Sequence, residues 1–259
     1  MKQLSEINTR IMGIINVTPD SFYKDSRVTD ADAVLKQIKA MVADGADAID
    51  IGACSTRPGF ENIGADNELQ RLKDVVPIVR EAFPGLLLSV DTFHPQVAET
   101  CLKEWNVDII NDISGGCAEM YRIVATYGAA YVLTYNEPIK ENVETEMVEF
   151  FRQKCAELSN IGIKKLILDP GFGFSKTLEQ NYRAFACIEK LQDTGYETMV
   201  GISRKSMIYK ILHNTPQEAL NGTTVLHTLA VQQNASWLRV HDVREAAEAV
   251  QIMKFFKNI

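Results

Sequence analysis

The sequence predicts an α/β fold, a (β/α)₈ TIM barrel in a single domain over residues 1–259, and three observations predict it. Short runs rich in β-branched and apolar residues recur eight times along the chain. Each is followed by a longer stretch whose apolar residues repeat at helical spacing. The runs are nearly continuous in hydrophobicity, as strands buried on both faces of a parallel sheet are. A barrel of this kind commonly occupies about 250 residues as one unit. A doubly wound open sheet would instead carry a Gly-x-Gly-x-x-Gly turn after its first strand, and here that strand runs into Asn16-Val17-Thr18-Pro19-Asp20.

The expected strands are 11–17, 48–53, 86–92, 108–114, 130–136, 166–171, 198–203 and 237–242. The first helical segment, 31–43, places Ala31, Val34, Leu35, Ile38 and Val42 on one face. Segments 68–82, 145–161, 177–194 and 216–234 repeat that pattern. Thr29 or Asp30 is the expected cap of the first helix, with Gly45 beyond its end. Gly128 and Gly162 stand after later helices, and Thr215 precedes Pro216 at a first-turn position. The stretches 17–30 and 53–66 exceed the usual βα connection of about two to six residues. Both are expected to close over a ligand. No linker, low-complexity tract or second compositional regime interrupts the pattern, so eight units are expected to fill the chain.

Composition narrows the class of partner. With 46% hydrophobic, 24% charged and 8% aromatic residues the chain is neither disordered nor collagen-like. Lys and Arg number 27 against 34 Asp and Glu, and the resulting −7 has the wrong sign for binding nucleic acid or an anionic membrane. An anionic ligand therefore needs a local cluster of cations. Five cysteines, odd in number and without a Cys-x-x-Cys pair, fit reduced thiols. Lys2, Glu6, Asn8 and Arg10 interrupt any leader-like apolar region, and no run reaches the ~18 apolar residues of a membrane span. A cytoplasmic location is expected.

In such a barrel the chemistry collects at the C-terminal ends of the strands. Read in order, the runs close on Asn16, Asp50, Asp91 with Thr92, Asn111 with Asp112, Tyr135 with Asn136, Asp169, Ser203 with Arg204 and Lys205, and Arg239 with His241. One polar strand end is ordinary, since such residues cap the next helix. Eight on one rim, mixing carboxylates with cations, describe a pocket for a polar ligand.

The strings at those ends are Asn16-Val17-Thr18-Pro19-Asp20-Ser21-Phe22, Asp50-Ile51-Gly52-Ala53-Cys54-Ser55-Thr56-Arg57-Pro58-Gly59, Ser89-Val90-Asp91-Thr92 and Ile110-Asn111-Asp112-Ile113-Ser114. The second half adds Asp169-Pro170-Gly171-Phe172-Gly173-Phe174, Gly201-Ile202-Ser203-Arg204-Lys205-Ser206 and Arg239-Val240-His241-Asp242-Val243. Together, in this order, they resemble the dihydropteroate synthase family. The resemblance implies an enzyme that joins 6-hydroxymethyl-7,8-dihydropterin diphosphate to p-aminobenzoate, releases pyrophosphate and uses Mg²⁺.

By that resemblance Asp169 accepts the two-donor edge of the pterin, as a carboxylate accepts from arginine. Asp91 and Asn111 bond the rest of the edge, and Lys205 reaches the ring and borders the p-aminobenzoate site. Asn16, Thr56, Arg57, Arg239 and His241 are the expected diphosphate contacts, and Asn16 is also the expected neutral oxygen ligand for Mg²⁺. Phe22, Thr56, Arg57, Pro58, Phe174, Lys205 and Ser206 are expected to line the p-aminobenzoate pocket. Arg57, Asp91, Asp169 and Lys205 are the expected catalytic set. The family also suggests a homodimer formed by outer helices late in the chain. The apolar residues in Met253-Lys254-Phe255-Phe256 suit such a surface or equally the packing of the last helix on the barrel.

The chain departs from the family pattern at Thr134-Tyr135-Asn136, where Met-His-Met is usual, so that Asn136 replaces a methionine expected against the pterin. Tyr23-Lys24-Asp25-Ser26 stands where glycines are common, His94 where Lys is frequent and Ser175 where Gly is frequent. A methyltetrahydrofolate-type methyltransferase, or a barrel that binds pterin diphosphate without turning it over, would share the pterin-edge residues. The cations of Thr56-Arg57-Pro58, Ser203-Arg204-Lys205 and Arg239-Val240-His241 favour the synthase, because they supply anion contacts.

Overall fold

The computed structural model describes residues 7–17, 27–53 and 63–258. Eight parallel strands close on themselves in chain order. They are β1 (Arg10–Asn16), β2 (Ala48–Gly52), β3 (Leu87–Asp91), β4 (Ile109–Asp112), β5 (Ala130–Thr134), β6 (Leu166–Asp169), β7 (Glu197–Val200) and β8 (Trp237–Val240). All eight expected runs are strands, and β8 returns to pair with β1.

The helices are α1 (Arg27–Ala43), α2 (Ala65–Leu72), α3 (Val76–Ala82), α4 (Pro95–Trp105), α5 (Ala118–Tyr127), α6 (Val143–Asn160), α7 (Leu178–Ala186), α8 (Ile188–Leu191), α9 (Ser206–Leu212), α10 (Leu220–Gln232) and α11 (Val243–Lys257). Several boundaries differ from expectation. Helix α1 starts at Arg27, so Thr29 and Asp30 fall inside it and neither is its cap. Its buried stripe is Val34, Ile38 and Met41, while Val42 is exposed. The 68–82 segment divides into α2 and α3, with Pro77 in the first turn of α3, where a missing N–H costs nothing. The 177–194 segment breaks at Cys187 and ends in a 3₁₀ turn, Gln192–Thr194. Thr215 and Pro216 precede α10 instead of starting it. Thr215 closes a one-turn loop in which its N–H and hydroxyl donate to Glu218 Oε2 at 3.0 and 2.8 Å.

Strand alternation divides the barrel interior into two levels. Met12, Ala48, Ile109, Val132, Ile167, Met199 and Trp237 form an apolar plug. Above it the register aligns Asn16 with Gly52, Gly52 with Asp91, and Asp91 with Asn111. Thr134 aligns with Asp169, and Arg239 aligns with Met12 of the plug. Partnered residues in a parallel sheet point to the same face, so these polar side chains converge on the axis above a dry floor.

Candidate active site

Three buried carboxylates and two half-buried cations make the centre of that upper level. Arg239, at the end of β8, donates from Nε to Asp50 Oδ2 at 2.7 Å and from Nη2 to Asp91 Oδ2 at 2.8 Å. Asn111 Nδ2 donates to the same Asp50 oxygen at 2.9 Å. The guanidinium is thus bound to carboxylates by two nitrogens, and its third, Nη1, has no hydrogen bond among the described residues. Burial pushes the Asp91 carboxyl up to about 7, against the pull of Arg239 and with the push of Asp50. For Arg239 burial works against the charge, but Asp50 and Asp91 outweigh it and its pKa is raised.

Asp169 closes β6. Its Oδ1 accepts the Gly171 N–H at 2.8 Å, and its Oδ2 has no hydrogen bond among the described residues. Lys205 stands just before α9 and donates to the Phe172 carbonyl at 2.7 Å, with its ammonium 5.1 Å from the Phe174 ring. Burial pushes this lysine down to about 8, with Asp169 opposing. Asp50 Oδ1, Ser89 Oγ, Asn111 Oδ1 and Thr134 Oγ1 are buried polar atoms without partners among the described residues. They sit on four consecutive strands. Leaving such an atom unsatisfied costs about 1–3 kcal/mol, so four together mark a place where ligand or water completes the bonding.

Other expected residues take different places. Asn16 is exposed at the end of β1. His241 is exposed beyond β8, with Nδ1 3.2 Å from Ser203 Oγ. Phe174 and Ser206 are half-buried beside Lys205. Phe22, Thr56, Arg57 and Pro58 lie outside the described residues. Arg204, read from the sequence as a rim cation, is bound bidentately to Asp242 at 2.8 and 2.9 Å and donates to the Pro216 and Gln217 carbonyls. It braces the rim. Asp112 likewise serves its own turn, accepting from Ser114 and from the Tyr131 hydroxyl.

On the altered fifth strand a second residue, Thr134, also faces the pocket. Thr134 is the fully buried side chain on the interior face, whereas Asn136 lies beyond the strand end. Asn136 donates to the Ile113 carbonyl at 3.0 Å and accepts from the Ser175 hydroxyl at 3.1 Å. His94 meets the buried Glu68 of α2 at 2.6 Å, which fastens the helix after the second long loop to the β3 rim. A separate cavity of about 800 Å³ opens beside Leu87, Ile109, Ile167 and Trp237, at the barrel's other end and across the apolar plug from these groups.

A family model described as "Pterin binding enzyme" matches residues 12–241. Dihydropteroate synthase of Clostridium beijerinckii is 35% identical over 251 residues, covering 94% of this chain and 93% of that protein. The chain belongs to the dihydropteroate synthase family. Solved structures of the synthase family superpose closely on this fold. The Xanthomonas albilineans synthase with 4-aminobenzoic acid gives a TM-score of 0.90 at 32% identity, covering 97% of this chain and 94% of that one. The Anaplasma phagocytophilum synthase with bound 6-hydroxymethylpterin-monophosphate gives 0.89 at 32% identity, covering 96% and 100%.

The sequence placed Asp50 on the polar rim without a part of its own, and it gave no role to Ser89, Thr134 or Lys176. The first three carry a legible signal, since each keeps the strand parity of an interior neighbour such as Asp91 or Val132. Lys176 carries none, because its ammonium folds back across a loop onto carbonyls that no side-chain pattern reveals.

Proposed function

We propose that this chain, a dihydropteroate synthase by family, binds 6-hydroxymethyl-7,8-dihydropterin diphosphate in the upper barrel and joins it to p-aminobenzoate with loss of pyrophosphate. The observation that carries the reading is the convergence of Asp91, Asn111, Asp169, Lys205 and Arg239 above the apolar plug. Asp169 Oδ2, without a hydrogen bond among the described residues, suits the exocyclic amine and ring N–H of the pterin, which present two parallel donors. Asp91 and Asn111 bond its remaining edge. Lys205, held by the Phe172 carbonyl, is our proposed contact to both the pterin and p-aminobenzoate, and Phe22, Thr56, Arg57, Pro58, Phe174 and Ser206 are the proposed residues of the second subsite. Arg239 Nη1, which has no hydrogen bond among the described residues, is our proposed diphosphate contact, together with Thr56, Arg57, His241 and Asn16.

The bond that breaks joins the pterin methylene carbon to the bridging oxygen, whose electron pair leaves with pyrophosphate. The electron-rich dihydropterin delocalises the methylene cation, and the aryl amine adds to it and then loses a proton to solvent. A weakly basic amine attacking a cation needs no strong general base. The protein's part is to position both partners and to stabilise the departing charge with fixed donors.

Mg²⁺ fits only as a companion of the diphosphate. Among the described residues no three His, Cys, Asp or Glu side chains gather at metal-binding spacing. A Cβ at Gly52 would stand 3.6 Å from Asn16 Oδ1 and 3.5 Å from the Asp91 Cβ, so the glycine keeps a small cradle open there. That cradle offers the neutral Asn16 oxygen beside the Asp91 side chain, which suits an ion carrying its own phosphates and waters. Mg²⁺ bound there would help neutralise the leaving pyrophosphate. No described helix is long and apolar enough to cross a membrane; the free cysteines suit a reducing cytoplasm, and the acidic balance suits an enzyme that works on small molecules and not on polyanions. The late helices serve a homodimer.

The deciding experiment measures pyrophosphate release from the pterin diphosphate with and without p-aminobenzoate. Release that requires the aryl amine and is blocked by a sulfonamide supports the reading, and tight pterin binding without release overturns it. Asp169→Ala and Lys205→Ala are expected to abolish release while circular dichroism shows the fold intact. Wild-type rates in either variant would remove these residues from the site.

A further inference from the structure

We propose that Lys176 is a positioning residue of this site, the cation that locks the turn between β6 and α7 into the shape that presents Asp169 and Lys205. The inference rests on the synthase reading above. The turn leaves the barrel directly after Asp169 and runs Pro170-Gly171-Phe172-Gly173-Phe174-Ser175. Gly171, Gly173 and Ser175 all have positive φ, at 69°, 83° and 46°. A glycine-rich segment of this kind has little stiffness of its own.

Two site groups nevertheless take their positions from its backbone. The Gly171 N–H fixes the Asp169 carboxylate, and the Phe172 carbonyl holds the Lys205 ammonium. Lys176 reaches back beneath the turn and donates to the carbonyls of Tyr135, Gly171 and Phe174 at 3.0, 3.0 and 3.4 Å. Its nitrogen also lies 4.8 Å from the Tyr135 ring. One cation thereby joins the end of β5 to both limbs of the turn.

All three ammonium hydrogens go to these carbonyls, so none remains for substrate, and Lys176 acts through Asp169 and Lys205. Asn181 of α7 clamps the far side, accepting from the Gly173 N–H at 2.7 Å and donating to the Thr177 carbonyl at 2.7 Å. It leaves the Gly171 and Tyr135 carbonyls to Lys176. Burial pushes Lys176 down to about 8, with Asp169 opposing and Lys205 adding to the fall, so the two lysines and the carboxylate form one electrostatic group.

The test compares Lys176→Met and Lys176→Gln with wild type in three measurements. These are steady-state pyrophosphate release per folded molecule, calorimetric binding of 6-hydroxymethylpterin and thermal melting by circular dichroism. Small misplacements of binding groups cost on the order of 10- to 100-fold. The expected result for Lys176→Met is a rise of that size in both the KM for pterin diphosphate and the Kd for 6-hydroxymethylpterin. The kcat per folded molecule should fall as well, because the same turn holds Lys205 and Asp169, and Lys176→Gln, which keeps two donors, should recover part of both the affinity and the rate. A merely structural role would lower activity in step with the folded fraction and leave KM and Kd unchanged, which would overturn the proposal. If Lys176→Met does not fold, Lys176→Gln carries the same comparison. A wild type that binds 6-hydroxymethylpterin but releases no pyrophosphate defeats the synthase reading alone, because the Kd comparison still decides Lys176. A wild type that binds no pterin overturns both.

Discussion

Arg239 faces two carboxylates with a single positive charge, and that imbalance sets the electrostatics of the pocket. At 2.7–2.8 Å each attraction is worth roughly 6 kcal/mol at an effective dielectric of about 20. That is comparable with the several kcal/mol it costs to bury each ion. Burial raises Asp91 to about 7 despite the pull of Arg239, and the neighbouring Asp50 carboxylate adds to the rise. Replacing Arg239 with Met is therefore expected to destabilise the fold by about 3 kcal/mol at pH 7. Urea denaturation checks this, and the loss should shrink at pH 5, where Asp91 carries its proton. The same groups predict a pH profile. An acid whose folded pKa exceeds its ordinary 3.8 binds more protons when folded, so Asp91 makes stability fall as pH rises from about 4 to about 7. Lys205, lowered from 10.5 to about 8, makes stability rise again across that upper interval. If binding needs Asp91 ionised and Lys205 charged, kcat/KM for pterin diphosphate follows a bell with limbs near 7 and 8. A profile flat from about pH 6 to about pH 9 would refute that requirement.

Among the elements, the β6–α7 turn is the most constrained, and Gly171 is its tightest point. With φ at +69°, a Cβ there would stand 2.2 Å from the Tyr135 carbonyl oxygen, a main-chain atom that also receives Lys176. Gly171→Ala is expected to cost about 2–4 kcal/mol from strain and overpacking. Chemical denaturation measures that cost, and a loss under about 0.5 kcal/mol, as at an ordinary surface site, would show the turn to be pliant. Elements of this kind explain what the sequence made legible. Each strand was readable because burial on both faces forces near-continuous hydrophobicity, and Asp50, Asp91 and Asp169 stood out against that background. Helix ends were less readable. The break between α2 and α3, the early start of α1 and the isolated Thr215–Glu218 turn depend on tertiary packing that overrides local propensity. Arg204 resembled a ligand cation in sequence because only the fold brings Asp242 within reach of it. Thr134 was passed over for Asn136 because the two share one strand parity, and only the fold shows that β5 ends at Thr134, in register with Asp169.

On the scale of the whole molecule, the apolar surface is unevenly spread. Of twelve large apolar side chains exposed among the described residues, seven lie on α9, α10 and α11: Ile211, Leu212, Val225, Leu229, Ile252, Phe255 and Phe256. Helix α10 packs against both of the others. Its approach to α9 depends on Gly222, where a Cβ would meet Ile208 at 2.5 Å and Leu212 at 2.8 Å. The last helix divides the two uses suggested by its sequence. Met253 is buried against the barrel, whereas Phe255 and Phe256 are 71% and 65% exposed. A lone exposed phenylalanine is ordinary, but a clustered apolar face of this kind marks an interaction surface. Two copies related by a twofold axis would cover it with the same residues from each side. A stable dimer needs roughly 1,200–2,000 Å² of total buried surface, and three neighbouring helices can supply an area of that order. Light scattering during size-exclusion chromatography is expected to give about twice the 29.0 kDa chain mass for wild type. The double variant Phe255→Glu, Phe256→Glu should run at the chain mass, since charges placed at the centre of an apolar interface lose hydration without gaining partners. Both residues lie on the outer face of α11, away from the strand ends, so the variant should still bind 6-hydroxymethylpterin. A wild type that stays at the chain mass at every concentration would show that this face does not join two copies of the chain.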